Sequence, residues 1–249
     1  MAVETVPVEG DGTAPLGGVA LPHEVVDLSQ PISAEMAGWR GSERAEISVE
    51  EVAVPHSVPG ARISATYMKM VAHAGTHVDA ARHFFPRGRS IDQYPAERFV
   101  SRGVAIDVPR EGPQPLGADE LAELDPGIQA GDAVLLHFGY AARYTGEDYY
   151  DHPYLSTEAT DYLVERQIGL LGADLITPDM PSHRRPQPFD FPVHSRLLSA
   201  DVMIVENLGP GLERVVGREF LYVMAPFTIP GADASPVVPL ALLPAAGLR

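Results

Sequence analysis

Apolar positions along this chain fall into short runs separated by turn residues, and the period of those runs changes along the sequence. Residues 24–28 form an apolar run closed by Ser29-Gln30-Pro31, which predicts a strand followed by a turn. Over residues 45–54 apolar and polar side chains roughly alternate, and residues 63–71 are rich in strand formers. A period of two sends successive side chains to opposite faces, so these segments predict antiparallel strands of one sheet leading into a histidine-bearing segment. The character then changes. Residues 118–124 predict a short helix, Gly131-Asp132 a turn, and the apolar run 133–138 a buried strand. Ser156 or Thr157 caps a predicted helix reaching about Ile168, with Glu158 in its first turn and Gly169 as terminator. Residues 170–176 predict a strand, 193–199 a helix, 202–205 a strand ending at Glu206, and 220–225 another strand. The proline-rich stretch 178–192 is too long for a plain connector. With no internal repeat or heptad pattern, the expectation is one α/β domain over residues 23–249 with a β-rich first third. Residues 1–22 read as an arm, flexible or ordered against a neighbouring subunit.

Charge narrows the choice of partner. The 249 residues carry 18 basic and 34 acidic side chains, a formal charge of −16, which repels nucleic acid and anionic membrane and leaves a small-molecule substrate as the expected partner. There is no cysteine, so thiolate ligation and thiol catalysis are excluded, and any metal must be held by imidazole and carboxylate. Residues 1–22 show no basic segment followed by an apolar stretch, and no run reaches the roughly 18–20 apolar residues of a membrane span. A cytoplasmic protein is expected.

Three of the nine histidines lie within His73-Ala74-Gly75-Thr76-His77-Val78-Asp79-Ala80-Ala81-Arg82-His83. On a helix, at about 100° per residue, His73 and His77 would share a face that Asp79 and His83 would not. On an extended segment the even spacing lets all four lie on one face, and Gly75 and Thr76 disfavour a helix. The extended reading gathers three ligands and a spare imidazole, leaving an open position for water as a catalytic metal needs. Downstream, His194 opens a predicted helix and Glu206 ends a buried strand, a common place for a ligand crevice in α/β proteins. Asp174 and Asp179 flank the strand before the proline-rich loop; either could support a metal ligand from behind, but both read first as solvated loop carboxylates. Neither a G-x-S-x-G elbow nor a nucleotide-binding glycine loop is present.

The segment from His73 to His83 resembles the H-x-G-T-H-x-D-x-P-x-H signature of the kynurenine formamidase, isatin hydrolase and cyclase family, with Ala81 where the family has proline. Asp27-Leu28-Ser29-Gln30-Pro31-Ile32, Gly131-Asp132-Ala133-Val134-Leu135-Leu136 and His152-Pro153-Tyr154-Leu155-Ser156 resemble other parts of that family. So do Pro192-Val193-His194, Val205-Glu206-Asn207-Leu208 and Gly231-Ala232-Asp233-Ala234-Ser235-Pro236. The resemblance implies an α/β single domain of the swivelling β/β/α kind, a homodimer or homotetramer, and one or two divalent ions, zinc or manganese. It implies His73, His77 and Asp79 as metal ligands, His194 and Glu206 as the pair completing a second metal or its surroundings, and His83 as general base.

The expected chemistry is hydrolysis of a C–N bond in a small amide, either a cyclic amide or an N-formyl arylamine. Coordination lowers the pKa of water towards about 7, and His83 accepts its proton and passes it to the leaving nitrogen. Trp39 and Phe84, with Phe85 and Tyr67, could line an apolar wall for substrate, and Arg40 or Arg82 could orient a substrate carboxylate. Two alternatives stand beside it. One is a non-hydrolytic cyclase or dehydratase acting on a polyketide-like metabolite. The other is a binding protein without turnover.

Overall fold

The structure, a computed structural model, describes residues 24–39 and 43–244. The arm over residues 1–22 and Arg40 lie outside the described residues. In chain order the first elements are β1 (Glu24–Asp27), β2 (Glu46–Ala53), β3 (Arg62–Lys69), β4 (His77–Asp79), β5 (Val100–Asp107), β6 (Pro115–Leu116) and α1 (Ala118–Leu124). There follow β7 (Ala133–His137), β8 (Tyr154–Leu155), α2 (Thr157–Glu165), β9 (Leu170–Ala173) and α3 (Pro192–Ser199). The chain closes with β10 (Met203–Glu206), β11 (Glu219–Val223), β12 (Ala234–Pro236) and β13 (Leu240–Leu243).

Nine strands form one mixed sheet in the order β1-β13-β11-β5-β7-β9-β10-β4-β12. Its centre, β5-β7-β9-β10, is parallel, and the strands on either side are antiparallel. Parallel neighbours need crossovers, and α1, α2 and α3 lie in the three connections between them. Because side chains alternate, each central strand feeds two cores. Ile106, Val134, Leu136, Leu171 and Ile204 pack with Leu121, Leu163 and Leu197 of the helices. Ala105, Leu135, Leu170, Met203 and Val205 pack on the other side with Val26, Val78 and Tyr222. Val26 of β1 and Val78 of β4 come from opposite ends of the strand order, so the sheet curls to bring them into one cluster. Burying each Val, Leu or Ile side chain contributes about 1.5–3 kcal/mol, and this double burial requires the unbroken apolar runs of β7, β9 and β10. No helix among the described residues is long and apolar enough to cross a membrane.

The expected single α/β domain is present, with differences in detail. The strands expected over 45–54 and 63–71 do pair antiparallel as β2 and β3, but they form a separate ribbon outside the main sheet. Both edges of β4 are already occupied by β10 and β12, so the ribbon has no edge there to join. The helix capped by Ser156, whose side chain accepts from the Ala159 N–H, ends at Glu165 and not near Ile168. Gln167 takes the left-handed conformation (φ 56°) that terminates it. Gly169 serves a different purpose: a Cβ there would sit 2.7 Å from the Gly131 carbonyl oxygen. The strand expected over 170–176 stops at Ala173, because the Asp174 carboxylate turns inward to accept from the N–H groups of Phe138, Tyr140 and Ala141. The central strand β5 escaped the sequence reading, since Ser101-Arg102-Gly103 interrupts its apolar pattern.

Candidate metal centre

Three residues make up β4, and its register builds the centre. His77 lies opposite Glu206 of β10, and Asp79 opposite Ile204. Directly paired residues of antiparallel strands share a face, and so do positions two apart. His77, Asp79 and Glu206 therefore point the same way while Val78 enters the opposite core. The bend before β4 is fixed from both sides. Gly75 adopts φ +69°, its carbonyl accepts from Asn207 Nδ2 at 2.9 Å, and the Thr76 hydroxyl donates to the Asn207 carbonyl at 2.6 Å. That bend turns His73 back over the ligand face, with Nδ1 2.8 Å from Asp79 Oδ1. After β4, a short 3-10 turn over Ala81–His83 brings the His83 ring to 4.1 Å from that of His73.

The expectation of one extended segment with four side chains on one face is thus corrected. Only His77–Asp79 is strand; His73 and His83 arrive from turns on either side. The residues still converge, because the left-handed glycine reverses the path that a straight strand would have continued.

His194 sits at the start of α3, its Nδ1 2.7 Å from Asp179 Oδ2. The same carboxylate accepts from the backbone N–H groups of Val193 and His194, at 3.0 and 3.1 Å. His194 Nε2 faces the cluster, 3.2 Å from Glu206 Oε1 and 3.5 Å from Asp79 Oδ2. His77 donates Nδ1–H to the Gly75 carbonyl at 2.9 Å, leaving Nε2 3.5 Å from Asp79 Oδ1 and 3.4 Å from Glu206 Oε2. Each imidazole is thus oriented through its other nitrogen, as metal-ligating histidines are. Asp174 and Asp179 were expected to be solvated loop carboxylates; both are fully buried and hydrogen-bonded. Each closes a set of backbone N–H groups that the curled sheet would otherwise strand.

The donor set fits a divalent cation. His77 Nε2, both carboxylate oxygens of Asp79 and Glu206 Oε1 are shielded from solvent without a hydrogen bond. Leaving such groups unsatisfied is costly, and two carboxylates side by side repel unless something positive lies between them. His77 Nε2 lies 3.5 Å from Asp79 Oδ1 and 3.4 Å from Glu206 Oε2, close to the spacing of donors bound at about 2.0–2.2 Å to one ion. Two overlapping groups, His77–Asp79–Glu206 and His73–Asp79–His83, are compact enough to hold an ion, and they share Asp79.

Electrostatics agree. Burial would lift Asp79 and Glu206, but the surrounding imidazoles outweigh it and hold both below the usual carboxylate range. Burial would depress His77 and His194, and the carboxylates overcome that and raise both. Burial likewise opposes the rise of His73, which Asp79 and Asp233 carry up to about 9. A cluster that attracts protons this strongly exchanges them for a cation when one binds. His83 differs: burial is its largest influence and leaves it below the ordinary imidazole value.

Asp233 bridges the outer pair, its Oδ2 3.0 Å from His73 Nε2 and 3.2 Å from His83 Nδ1. It was not singled out from sequence, although it lies in the resembling segment from Gly231 to Pro236. Ala81, at the motif's proline position, uses the N–H that proline lacks. It donates to the Tyr94 hydroxyl at 3.3 Å, which donates to Asp201 at 2.9 Å.

A cavity of about 360 Å³ opens onto the cluster, lined by Trp39, Phe84, Phe191, Ile176, Thr177 and Asn207 beside the donors. Phe84 stacks on the His194 ring at 5.0 Å and meets Phe191 edge-on at 5.6 Å. Trp39 and Phe84 therefore both border the space. Phe85 packs against the helix-side core and Tyr67 stands exposed on the ribbon, so neither lines it. Arg82 is exposed and also absent from the lining. Phe191, Thr177 and Asn207 were missed, because their places depend on pairings between distant segments.

Comparison with known proteins follows the same lines. A sequence model of the family described as "Putative cyclase" matches residues 26–180, a span that includes the histidine segment and Asp179 and stops short of His194 and Glu206. Kynurenine formamidase of Bacillus cereus is 25% identical over 215 residues, covering 86% of this chain and 95% of the relative. Isatin hydrolase A from Ralstonia solanacearum superposes with a TM-score of 0.74 at 24% identity, covering 88% of this chain and 92% of that one. A structure titled a potential metal-dependent hydrolase with cyclase activity superposes with a TM-score of 0.69 at 24% identity over 88% and 96% of the two chains. The curled α/β sheet, the convergent histidines and the matched span lead to one conclusion: this chain belongs to the Putative cyclase family.

Proposed function

We propose that the protein is a metal-dependent hydrolase that cleaves the C–N bond of a small amide, either a cyclic amide such as isatin or an N-formyl arylamine. The observation that carries this reading is the buried donor set free of hydrogen bonds at the end of an aromatic-walled cavity. The names of the related kynurenine formamidase and isatin hydrolase supply the bond type.

His73, His77, Asp79, His194 and Glu206 would hold one or two divalent ions, zinc or manganese, a choice supported by the mixed imidazole and carboxylate donors. A divalent ion supplies Lewis acidity at the amide carbonyl and makes water nucleophilic near neutral pH. The rest falls to side chains. Trp39, Phe84 and Phe191 enclose the planar substrate and exclude bulk water. His83, whose proton affinity is lowered by burial and which is oriented through Nδ1 by Asp233, takes the attacking water's proton on Nε2 and returns it to the departing nitrogen. Asp179 holds His194 in place throughout.

Ring closure without hydrolysis is the competing reading. The deciding experiment is a zinc- or manganese-loaded enzyme assayed against isatin, a γ-lactam and formanilide. Metal-dependent ring opening of isatin or the lactam to an amino carboxylate, or cleavage of formanilide to formate and aniline, supports hydrolysis; a fully metallated protein inert towards all three overturns it.

A homo-oligomer belongs to the same proposal. It is supported by the projecting β2–β3 ribbon, on which Val49, Ile63 and Met68 are exposed. Light scattering should report at least a dimer, and a clean monomer at micromolar concentration would remove this part.

A further inference from the structure

Beside the metal-site cavity lies a smaller recess of about 50 Å³, bordered by Trp39, Ile176 and Thr177, which both spaces share. Its remaining walls are Tyr150, His152, Ser182 and Arg185. Arg185 is its one cationic side chain. It comes from the proline-rich loop that the sequence marked as too long for a connector. Its Nε donates to the Met180 carbonyl at 2.7 Å, which fixes the plane of the guanidinium. The group lies over three rings, with Cζ 5.5 Å from the centre of Trp39, 5.0 Å from Phe189 and 4.6 Å from Phe191. Its Nη2 is shielded from solvent and has no hydrogen-bond partner, and among the described residues no carboxylate lies within ion-pair distance.

A guanidinium does not lose its charge, so a buried, undonated N–H pair beside a ligand cavity is an expensive arrangement in the free protein. Burial even draws Arg185 below the ordinary arginine value. The same features make a binding group: a planar fork, preoriented by Met180, walled by aromatic rings, and lacking an acidic partner. Its natural complement is a planar anion that supplies the acceptor the guanidinium lacks in the free protein. The recess is small, and Asp179 and Glu206 both act on Arg185 electrostatically, which favours a monoanion over a more highly charged phosphate.

We propose that Arg185 is a specificity-determining residue that binds a carboxylate on the substrate, so that the preferred substrates are aryl amides bearing an acidic substituent away from the bond that is cut. The aryl group lies against the aromatic wall formed by Trp39, Phe84 and Phe191, and the amide is presented to the donor cluster. The anion site stands on geometry alone; only its link to turnover rests on the hydrolase reading. Arg82 faces solvent and does not line the cavity, so it does not take this part, and Arg40 lies outside the described residues.

The test has two arms, each on metal-loaded protein. Calorimetric titration compares benzoate with the neutral isostere benzamide on wild type, Arg185→Gln and Arg185→Lys. Benzoate contact with the ion is common to all three proteins, so the difference between them reports Arg185. Benzoate affinity should fall roughly ten- to hundred-fold in Arg185→Gln and by less in Arg185→Lys, with benzamide unchanged. In the kinetic arm, 3-(formylamino)benzoate should have the higher kcat/KM in wild type. Arg185→Gln should lose that preference through KM, with formanilide affected far less than the acidic substrate. Unchanged benzoate binding, or equal weakening of benzoate and benzamide, overturns the proposal and makes Arg185 a brace for the aromatic wall. Selective benzoate loss in an enzyme that hydrolyses neither formamide would keep the anion site and overturn only its link to the turnover of N-formyl arylamines.

Discussion

The centre has two layers of different construction. The inner layer, His77, Asp79, Glu206 and His194, comes from two paired strands and the first turn of a helix, and all four residues are buried. Each imidazole there is held through its outward nitrogen, by the Gly75 carbonyl or by Asp179. The outer layer, His73, His83 and Asp233, hangs on bends, with side chains 23%, 28% and 46% exposed. Rigid strands fix donor positions closely, as holding an ion requires. Turns and solvent contact allow a ring to move and to exchange protons with water, as a base requires. This contrast is what the proposed roles require, with the ion held by the inner layer and protons moved at the outer rim, and His73 touches both Asp79 and Asp233.

Substitutions in each layer should separate these roles, and the largest effect belongs inside. Asp79→Asn removes a carboxylate shared by both candidate ion groups. Elemental analysis should show metal affinity lowered by well over about 100-fold, and turnover should disappear with it. Retention of stoichiometric metal by this variant, or by His77→Ala, would break the assignment of the inner layer. Next comes the rim. His83→Ala should keep metal and fold while kcat falls by roughly 10²–10⁴-fold with a smaller change in KM. Metal loss in that protein would move His83 into the ligand set, and near-normal kcat would deny it the proton.

Support of the inner layer should show a smaller, graded effect. Asp179→Asn leaves an amide that still accepts hydrogen bonds but brings no charge to His194. Titration against a chelator should show metal affinity lowered by about 10–100-fold. An unchanged value would mean that β10 and α3 alone hold His194.

The smallest effect lies at the recess and concerns stability. Burial pushes His152 down to about 4 from 6.5, and it donates to the Pro153 carbonyl at 2.7 Å. As pH falls, the unfolded chain takes up this proton first. His152 therefore costs no stability above about 6.5, and folding free energy is lost as pH falls from there towards 4. Wild type should lose about 2 kcal/mol more than His152→Gln between pH 7 and pH 5, read from urea midpoints. Parallel pH profiles for the two proteins would show that the ring is protonated equally easily in both states.

What could be read from sequence follows how local each feature is. Alternation and capping are local, so β1, β7, α1, α3 and the Ser156 cap were legible within a few residues. The spacing of His73, His77, Asp79 and His83 was legible as a set, although the extended path drawn through it was not the real one. Strand β5 was hidden because Gly103 and its polar neighbours break the apolar run, while pairing with β7 and β11 decides its conformation. Asp179, Asp233 and Arg185 carry no local signal. A carboxylate in a loop reads as solvated until the element that buries it is known, and Arg185 gains meaning only beside Trp39, which comes from a separate segment.

The pairing of β4 with β10 also bears on when the centre can exist during synthesis. The Gly75 carbonyl that orients His77 also accepts from the side chain of Asn207, 132 positions further along. Glu206 faces His77 only through that strand pairing, and β12 then covers the other edge of β4. An emerging chain that ends short of residue 206 carries the histidine segment without the strand that completes it. The full donor set therefore exists only once that pairing is made. Depriving cells of metal should leave a soluble, folded and inactive protein that zinc or manganese restores after lysis, in contrast to a zinc finger, which has no fold to keep while it waits.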